Sequence, residues 1–140
     1  MISIRPAVEN DVEALWALDH IARREEERRE FIRREVAAGN CFAAVIDETV
    51  AGYGVLNYTF HHTGCIDMLY VHPDYRRRGV GTALLRQLEL RCRTPKLFTS
   101  TNQSNLEMQS LLGKLGYEPS GVIHNLDEGD PELVYFKRLK

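Results

Sequence analysis

The sequence predicts an α/β fold built on a mixed sheet, and three observations carry that prediction. The runs CFAAVI, VAGYGVLNYTF and GCIDMLYV follow one another and are rich in β-branched and aromatic residues, which predicts three successive antiparallel strands. After the third run, Val80, Ala83, Leu84 and Leu88 repeat at helical spacing and KLFTST follows past Pro95, so a strand, a helix and a strand form a unit with a parallel pair. With 140 residues, 44% of them hydrophobic and 27% charged, the chain suits a single domain over residues 1–140 with one core.

Taken in order, Ile2 to Arg5 alternates apolar and polar residues as a short strand does. Asn10 with Glu13 resembles a capping box that opens a helix with Val12, Leu15 and Trp16 on one face. The stretch ARREEERREFIRREVAAGN carries opposite charges three and four apart, which predicts a helix held partly by exposed ion pairs and ending at Gly39 or Asn40. Its weak apolar face marks a partly exposed, mobile element. Asp47, Glu48 and Thr49 form the polar turn between the first two of the three strands. Farther on, Ser104 with Glu107 makes a capping box for a helix that packs through Met108, Leu111, Leu112 and Leu115 and stops at Gly116. Strands around GVIH and ELVYFKRL flank the turn-rich NLDEGDP, and no repeat or linker interrupts the chain.

A formal charge of −2 argues against a surface committed to nucleic acid or to an anionic membrane, so any anion site is local. The start MISIRPAVENDV lacks the charged and apolar pattern of a leader, and no run approaches the roughly 20 apolar residues that span a bilayer, which points to a cytoplasmic protein. Cys41, Cys65 and Cys92 are odd in number and widely spaced, as suits reduced buried thiols, and the histidines lack ligand spacing, so no metal is expected.

The segment VHPDYRRRGVGTALL joins the end of an extended run to a helix start. Unpaired amides and the dipole at such a junction favour an anion, above all a phosphate. Gly79 and Gly81 let backbone approach a diphosphate, and Arg76, Arg77 and Arg78 supply charge-assisted hydrogen bonds from the rim. No lysine with serine or threonine follows, as in a Walker loop, and Leu84 stands where the dinucleotide fingerprint has its third glycine. The plain alternative is a helix start with solvated arginines; another is a nucleic-acid contact.

With Leu69 and Val71 ahead of it, and with Asn105, Lys114 and Gly116-Tyr117 downstream, this segment resembles the acetyl-CoA signature of the GNAT family of N-acetyltransferases, in which Arg or Gln precedes Gly by three residues and a second Gly or Ala follows. The resemblance implies a mostly antiparallel central sheet of about seven strands with about four helices and a splayed parallel pair at its middle. It implies acetyl-CoA as co-substrate, direct transfer to an amine of a small molecule or peptide, and no nucleic-acid or membrane partner; a homodimer is common among relatives. Carried over residue by residue, Leu69, Tyr70 and Val71 offer a strand edge to pantetheine, and the Leu69 N–H serves the thioester oxyanion. Arg76, Arg77, Arg78, Gly79, Val80, Gly81 and Thr82 hold the pyrophosphate, and Asn105 reaches the pantetheine.

The proton carriers are less defined. Asp67, two residues before Leu69 in the alternation, is a general base acting through water or a structural hydrogen-bonding residue, and His61 and His62 are further candidates. The family's tyrosine acid has its place at Leu112 here, which leaves Tyr117 as a substitute acid or a core aromatic. That departure opens a second reading, a catalytically weak CoA-binding regulatory or interaction module. Asn105 is free for ligand if Ser104 caps the helix, and the acidic residues Asp127, Glu128, Asp130 and Glu132 attract a cationic acceptor or simply form a solvated hairpin loop.

Overall fold

All 140 residues are described by the computed structural model, in which the chain forms seven strands and four α-helices. They are β1 (Ile2–Pro6), α1 (Val12–Leu18), α2 (Glu26–Ala37), β2 (Cys41–Ile46), β3 (Thr49–Phe60), β4 (Thr63–Val71), α3 (Val80–Arg91), β5 (Lys96–Asn102), α4 (Leu106–Lys114), β6 (Glu118–Ile123) and β7 (Glu132–Arg138). The strands make one sheet in the order β1-β2-β3-β4-β5-β7-β6. Its one parallel pair is β4 with β5, in the register Gly64↔Leu97, Cys65↔Phe98 and Ile66↔Thr99. The mixed sheet read from the β-rich runs is therefore present, and it is mostly antiparallel as the resemblance implies.

By contacts the chain divides into two compact units, and β3 and β4 each contribute residues to both. The first unit holds Met1–Leu56 and Met68–Leu90. Strand alternation sorts its side chains into two groups. Met68 and Tyr70 join Tyr53, Val55, Leu15, Leu18, Ile32 and Val36, so this face of β3 and β4 is covered by α1 and α2. Leu69 and Val71 point the other way and pack with Ala44, Ile46, Ala51, Val80 and Leu84 under α3. The α1–α2 contact is tied by Trp16, whose Nε1 donates to the Arg29 carbonyl at 3.1 Å while the Arg33 guanidinium lies 4.8 Å over its ring. As its charge pattern predicts, α2 carries the ion pairs Arg29–Glu26 and Arg33–Glu30 on its surface, each of little worth to stability.

The second unit holds Asn57–Asp67 and Arg91–Lys140. Phe60, Phe98 and Phe136 stack across it at 5.4 and 5.3 Å between ring centroids, and Leu97, Leu112, Tyr117 and Tyr135 are buried. The Thr99 hydroxyl donates to the Ile66 carbonyl at 2.8 Å beside the parallel pairing.

Three local expectations are corrected. The first helix is not opened by Asn10 and Glu13: a short 3-10 turn, Glu9–Asp11, precedes it, and Asp11 accepts from the Val8 amide at 2.7 Å while Arg5 donates to both of its carboxylate oxygens at 2.8 and 2.9 Å. The charged helix begins only at Glu26, because the segment ahead of it is held in a turn by Asp19, which accepts from the Ile21 and Ala22 amides. Ser104 does not cap α4; its hydroxyl donates to Asp130 at 2.6 Å, and Asn105 caps instead, accepting from the Met108 amide at 3.1 Å.

Both tight hairpins of the central strands turn on two residues with positive φ, Asp47 (48°) with Glu48 (66°) and His61 (53°) with His62 (60°). This is the type I′ geometry whose twist suits antiparallel strands and which Asn-Gly adopts most easily. A side chain at the second position is strained, so Glu48→Gly is expected to raise stability by roughly 0.5–1 kcal/mol. Urea unfolding checks it, and a midpoint that does not rise counts against strain at this turn.

Candidate active site

In the first unit, β4 runs directly into the glycine-arginine loop. Its last residues lie unusually close to β3: a Cβ added to Gly52 would meet the Tyr70 carbonyl oxygen at 2.6 Å and the Val71 Cα at 3.3 Å. One added to Gly54 would meet Leu88 Cδ1 at 2.9 Å and Leu69 Cδ1 at 3.5 Å. Only glycine at position 52 lets the 69–71 edge of β4 sit where it does, whereas at position 54 the close neighbour is the movable tip of Leu88. Arg76 fixes the end of that edge by donating from Nε to the Val71 carbonyl at 3.0 Å.

Beyond it, Arg77 (φ 64°) and Gly79 (φ 84°) both adopt left-handed backbone, which folds the loop back onto the start of α3. The first helical hydrogen bond runs from the Ala83 amide to the Gly79 carbonyl, leaving the amides of Val80, Gly81 and Thr82 without partners in the protein. Three aligned donors and a helix of 12 residues present positive potential to one point. Around it, Arg77 and Arg78 are exposed, and Arg78 rests 5.3 Å over the Tyr75 ring. The arrangement fits a phosphate group, since donors and charge are in place.

Also in the first unit is a polar cluster for which the sequence offers little signal. Asp19 is fully buried, yet it accepts from the Tyr53 hydroxyl and the Arg28 guanidinium, both at 2.6 Å, and from the Ile21 and Ala22 amides at 2.9 and 3.3 Å. Burial alone would raise its pKa, but the Tyr53 hydrogen bond, the Arg28 charge and the Ile21 amide together hold it below the ordinary aspartate value. Tyr53 is shifted upward, by burial first and then by its bond to Asp19, and stays a phenol. Next to Asp19, His20 meets Tyr70: its Nδ1 is 2.7 Å from the Tyr70 hydroxyl, and its backbone N–H donates to the same oxygen at 3.3 Å. In the sequence, only the Asp19-His20 step just past the apolar positions Leu15 and Leu18 hints at this.

The remaining candidates lie in the second unit. Asp67 is exposed and accepts from Asn57 Nδ2 at 3.0 Å. His61 and His62 occupy the exposed hairpin turn. Asn105 is exposed, with its carbonyl oxygen engaged as the cap of α4. Tyr117 is buried with the Lys137 ammonium 5.3 Å from its ring, and Leu112 is fully buried. The acidic loop is spent largely on hydrogen bonds: Asp127 accepts from Asn102, Asp130 from Ser104, and Glu132 from Ser100. Those bonds tie the loop to β5 and the start of α4. The Cys41 and Cys65 thiols are each pushed up to about 12, chiefly by burial, and stay protonated. No helix is long and apolar enough to cross a membrane.

Residues 8–117 match the model of the acetyltransferase (GNAT) family. The chain belongs to the GNAT family. This GNAT chain is similar over 99% of its length to 97% of a GNAT acetyltransferase from Bacillus cereus, with 30% identity and a TM-score of 0.92. It shares its fold with the ribosomal-protein-S18-alanine N-acetyltransferase of Escherichia coli, at 18% identity and a TM-score of 0.84, over 100% of this chain and 95% of that one. An acetyltransferase of Salmonella typhimurium, solved with its cofactor acetyl-CoA, aligns over 99% of this chain and 94% of that one, at 18% identity and a TM-score of 0.79. Among proteins of curated function, none matches.

Two outcomes are expected. Gly52→Ala forces the Tyr70 carbonyl away and displaces the 69–71 edge, so acetyl-CoA affinity should fall about tenfold or more while the chain still folds; calorimetric titration checks it. Because the Asp19 carboxyl is depressed, the stability it contributes is whole above the ordinary value of 3.8 and is lost as pH falls from there through the folded value. Asp19→Asn should therefore be less stable near neutrality, and its urea midpoint should fall less than that of the wild type on going to about pH 3. Equal slopes would show that Asp19 is not a source of the acid sensitivity. Asp11, lowered chiefly by its hydrogen bonds to Arg5, sensitises both proteins alike.

Proposed function

We propose that the whole chain, residues 1–140, acts as an acetyl-CoA-dependent N-acetyltransferase that acetylates a primary amine by direct attack within a ternary complex. The observation that carries this reading is the unpartnered amide triad of Val80, Gly81 and Thr82, set beside an arginine loop and a strand edge in a chain of the GNAT family. Acetyl-CoA supplies the activated thioester carbonyl. The triad and the exposed Arg77 and Arg78 hold its diphosphate by hydrogen bonds and charge. Residues 69–71 hold the extended pantetheine through backbone groups, as an added strand is held. The Leu69 N–H donates to the carbonyl oxygen as negative charge grows there, a role that no side-chain substitution removes.

The amine must lose a proton before or during attack. Asp67 is exposed and hydrogen-bonded to Asn57, which leaves it able to take that proton through water. Tyr117 is the candidate to return one to the departing sulfur, and Asn105 offers its side-chain amide to the pantetheine. The acceptor is an amine of a small molecule or a peptide, met in the cytoplasm.

Measured consumption of the thioester with a panel of primary amines tests the reading. Gly81→Trp is expected to abolish acetyl-CoA binding and turnover while leaving the unfolding midpoint near that of the wild type. Unchanged cofactor affinity in that variant would remove the phosphate from the start of α3. Tight binding without turnover on any amine would favour the second reading, a regulatory CoA-binding module, to which the buried Leu112 in the place of the family's tyrosine also points.

A further inference from the structure

We infer that Tyr70 and His20, in place of Asp67, form the proton-accepting relay for the amine, with Asp19 as the residue that positions it. This inference rests on the acetyltransfer reading above. Its basis is the way the first unit commits a buried charge to one short turn. Asp19 has no exposed surface, and burying a carboxylate costs several kcal/mol unless its oxygens are fully hydrogen-bonded. Here four donors meet it, drawn from β3 (Tyr53), α2 (Arg28) and the turn itself (Ile21 and Ala22). Such a network sets the backbone at residue 20 more firmly than packing of an exposed turn would. What it sets in place is an imidazole.

The relay uses one of the two tautomers that the 2.7 Å contact between His20 Nδ1 and the Tyr70 hydroxyl admits. The Tyr70 oxygen accepts from the His20 backbone N–H, so its own hydrogen is free to point at His20 Nδ1, 2.7 Å away. In that arrangement Nδ1 is an acceptor, and the neutral ring carries its proton on Nε2, at the exposed side. Tyr70 is the residue next to Leu69, whose N–H faces the reacting carbonyl in the proposed function. As the bond from the amine nitrogen to the acetyl carbon forms, an N–H bond of the amine breaks and its proton passes through water to the Tyr70 oxygen. The phenol proton moves to His20 Nδ1 in the same event, giving an imidazolium that releases a proton to solvent. The carbon–sulfur bond breaks with its electron pair on sulfur, which takes its proton by the Tyr117 route proposed above, and water restores that proton to the Tyr117 phenol. The charged and titratable groups around the pair are Asp19 beside His20, Arg28 from α2 and Tyr53 from β3, whose ring lies 6.1 Å from that of Tyr70.

The test uses His20→Gln and Tyr70→Phe in the full chain, with an unblocked alanyl hexapeptide, phenethylamine and putrescine as acceptors. Acetyl-CoA affinity is expected to stay within about twofold of the wild type, while kcat falls about 100-fold and the acid limb of kcat/KM flattens. Nitrogen NMR of the wild-type imidazole should show Nδ1 as a hydrogen-bonded acceptor, a signature lost in Tyr70→Phe even if that variant is less stable. A wild type that binds no acetyl-CoA overturns the acetyltransferase reading itself. A wild type that binds it and acetylates a probe, with variants that keep the acid limb or an Nδ1 already protonated beside Tyr70, overturns the relay alone. Binding with no probe acetylated leaves the pair no reaction to serve and overturns the relay as well.

Discussion

The close approach of β4 to β3 at Gly52 is the constraint on which the rest of the first unit depends. With no Cβ in the way, the carbonyl of Tyr70 settles against β3, and the alternation of β4 then assigns each neighbour a face. Met68 and Tyr70 go to the helices α1 and α2, and Leu69 and Val71 go to α3. One strand thus supplies the anchor of the α3 face, the edge offered to an extended ligand and the phenol that meets His20. A shift of β4 by one residue would exchange all of these at once.

Charge is distributed with similar economy. The three arginines that look alike in the sequence have three different duties. Arg76 braces the Val71 carbonyl, Arg77 takes the left-handed backbone that turns the loop, and Arg78 rests on Tyr75. The positive potential at the loop therefore comes as much from the unpaired amides of α3 as from the guanidinium groups. Negative charge divides in the same way. The visible acidic loop is consumed by hydrogen bonds to Asn102, Ser104 and Ser100, whereas the inconspicuous Asp19 is a fully buried carboxylate held by four donors.

Much of the fold was legible along the chain because its signals are local. The β-rich runs and the apolar spacing of Val80, Leu84 and Leu88 report strand and helix directly, since period and burial go together. The glycine-arginine loop was legible for the same reason: a helix start exposes its amides whatever surrounds it. Capping was less so. Ser104 and Glu107 have the right spacing for a box, yet Asp130, far along the chain, competes for the Ser104 hydroxyl and wins. Asn10 and Glu13 lose to Asp11 because Arg5, from β1, holds that carboxylate against the Val8 amide.

By itself the sequence determined the order and type of the elements, the mixed sheet, and a phosphate-ready junction between β4 and α3, all of which follow from neighbours within a few residues. Only the tertiary structure decided that Gly52 admits β4 to its place, that Asp19 is buried against Tyr53, and that His20 lies on Tyr70. The last two contacts join residues 34 and 50 positions apart, and no local pattern encodes which of several aspartates or tyrosines will meet once the chain has closed.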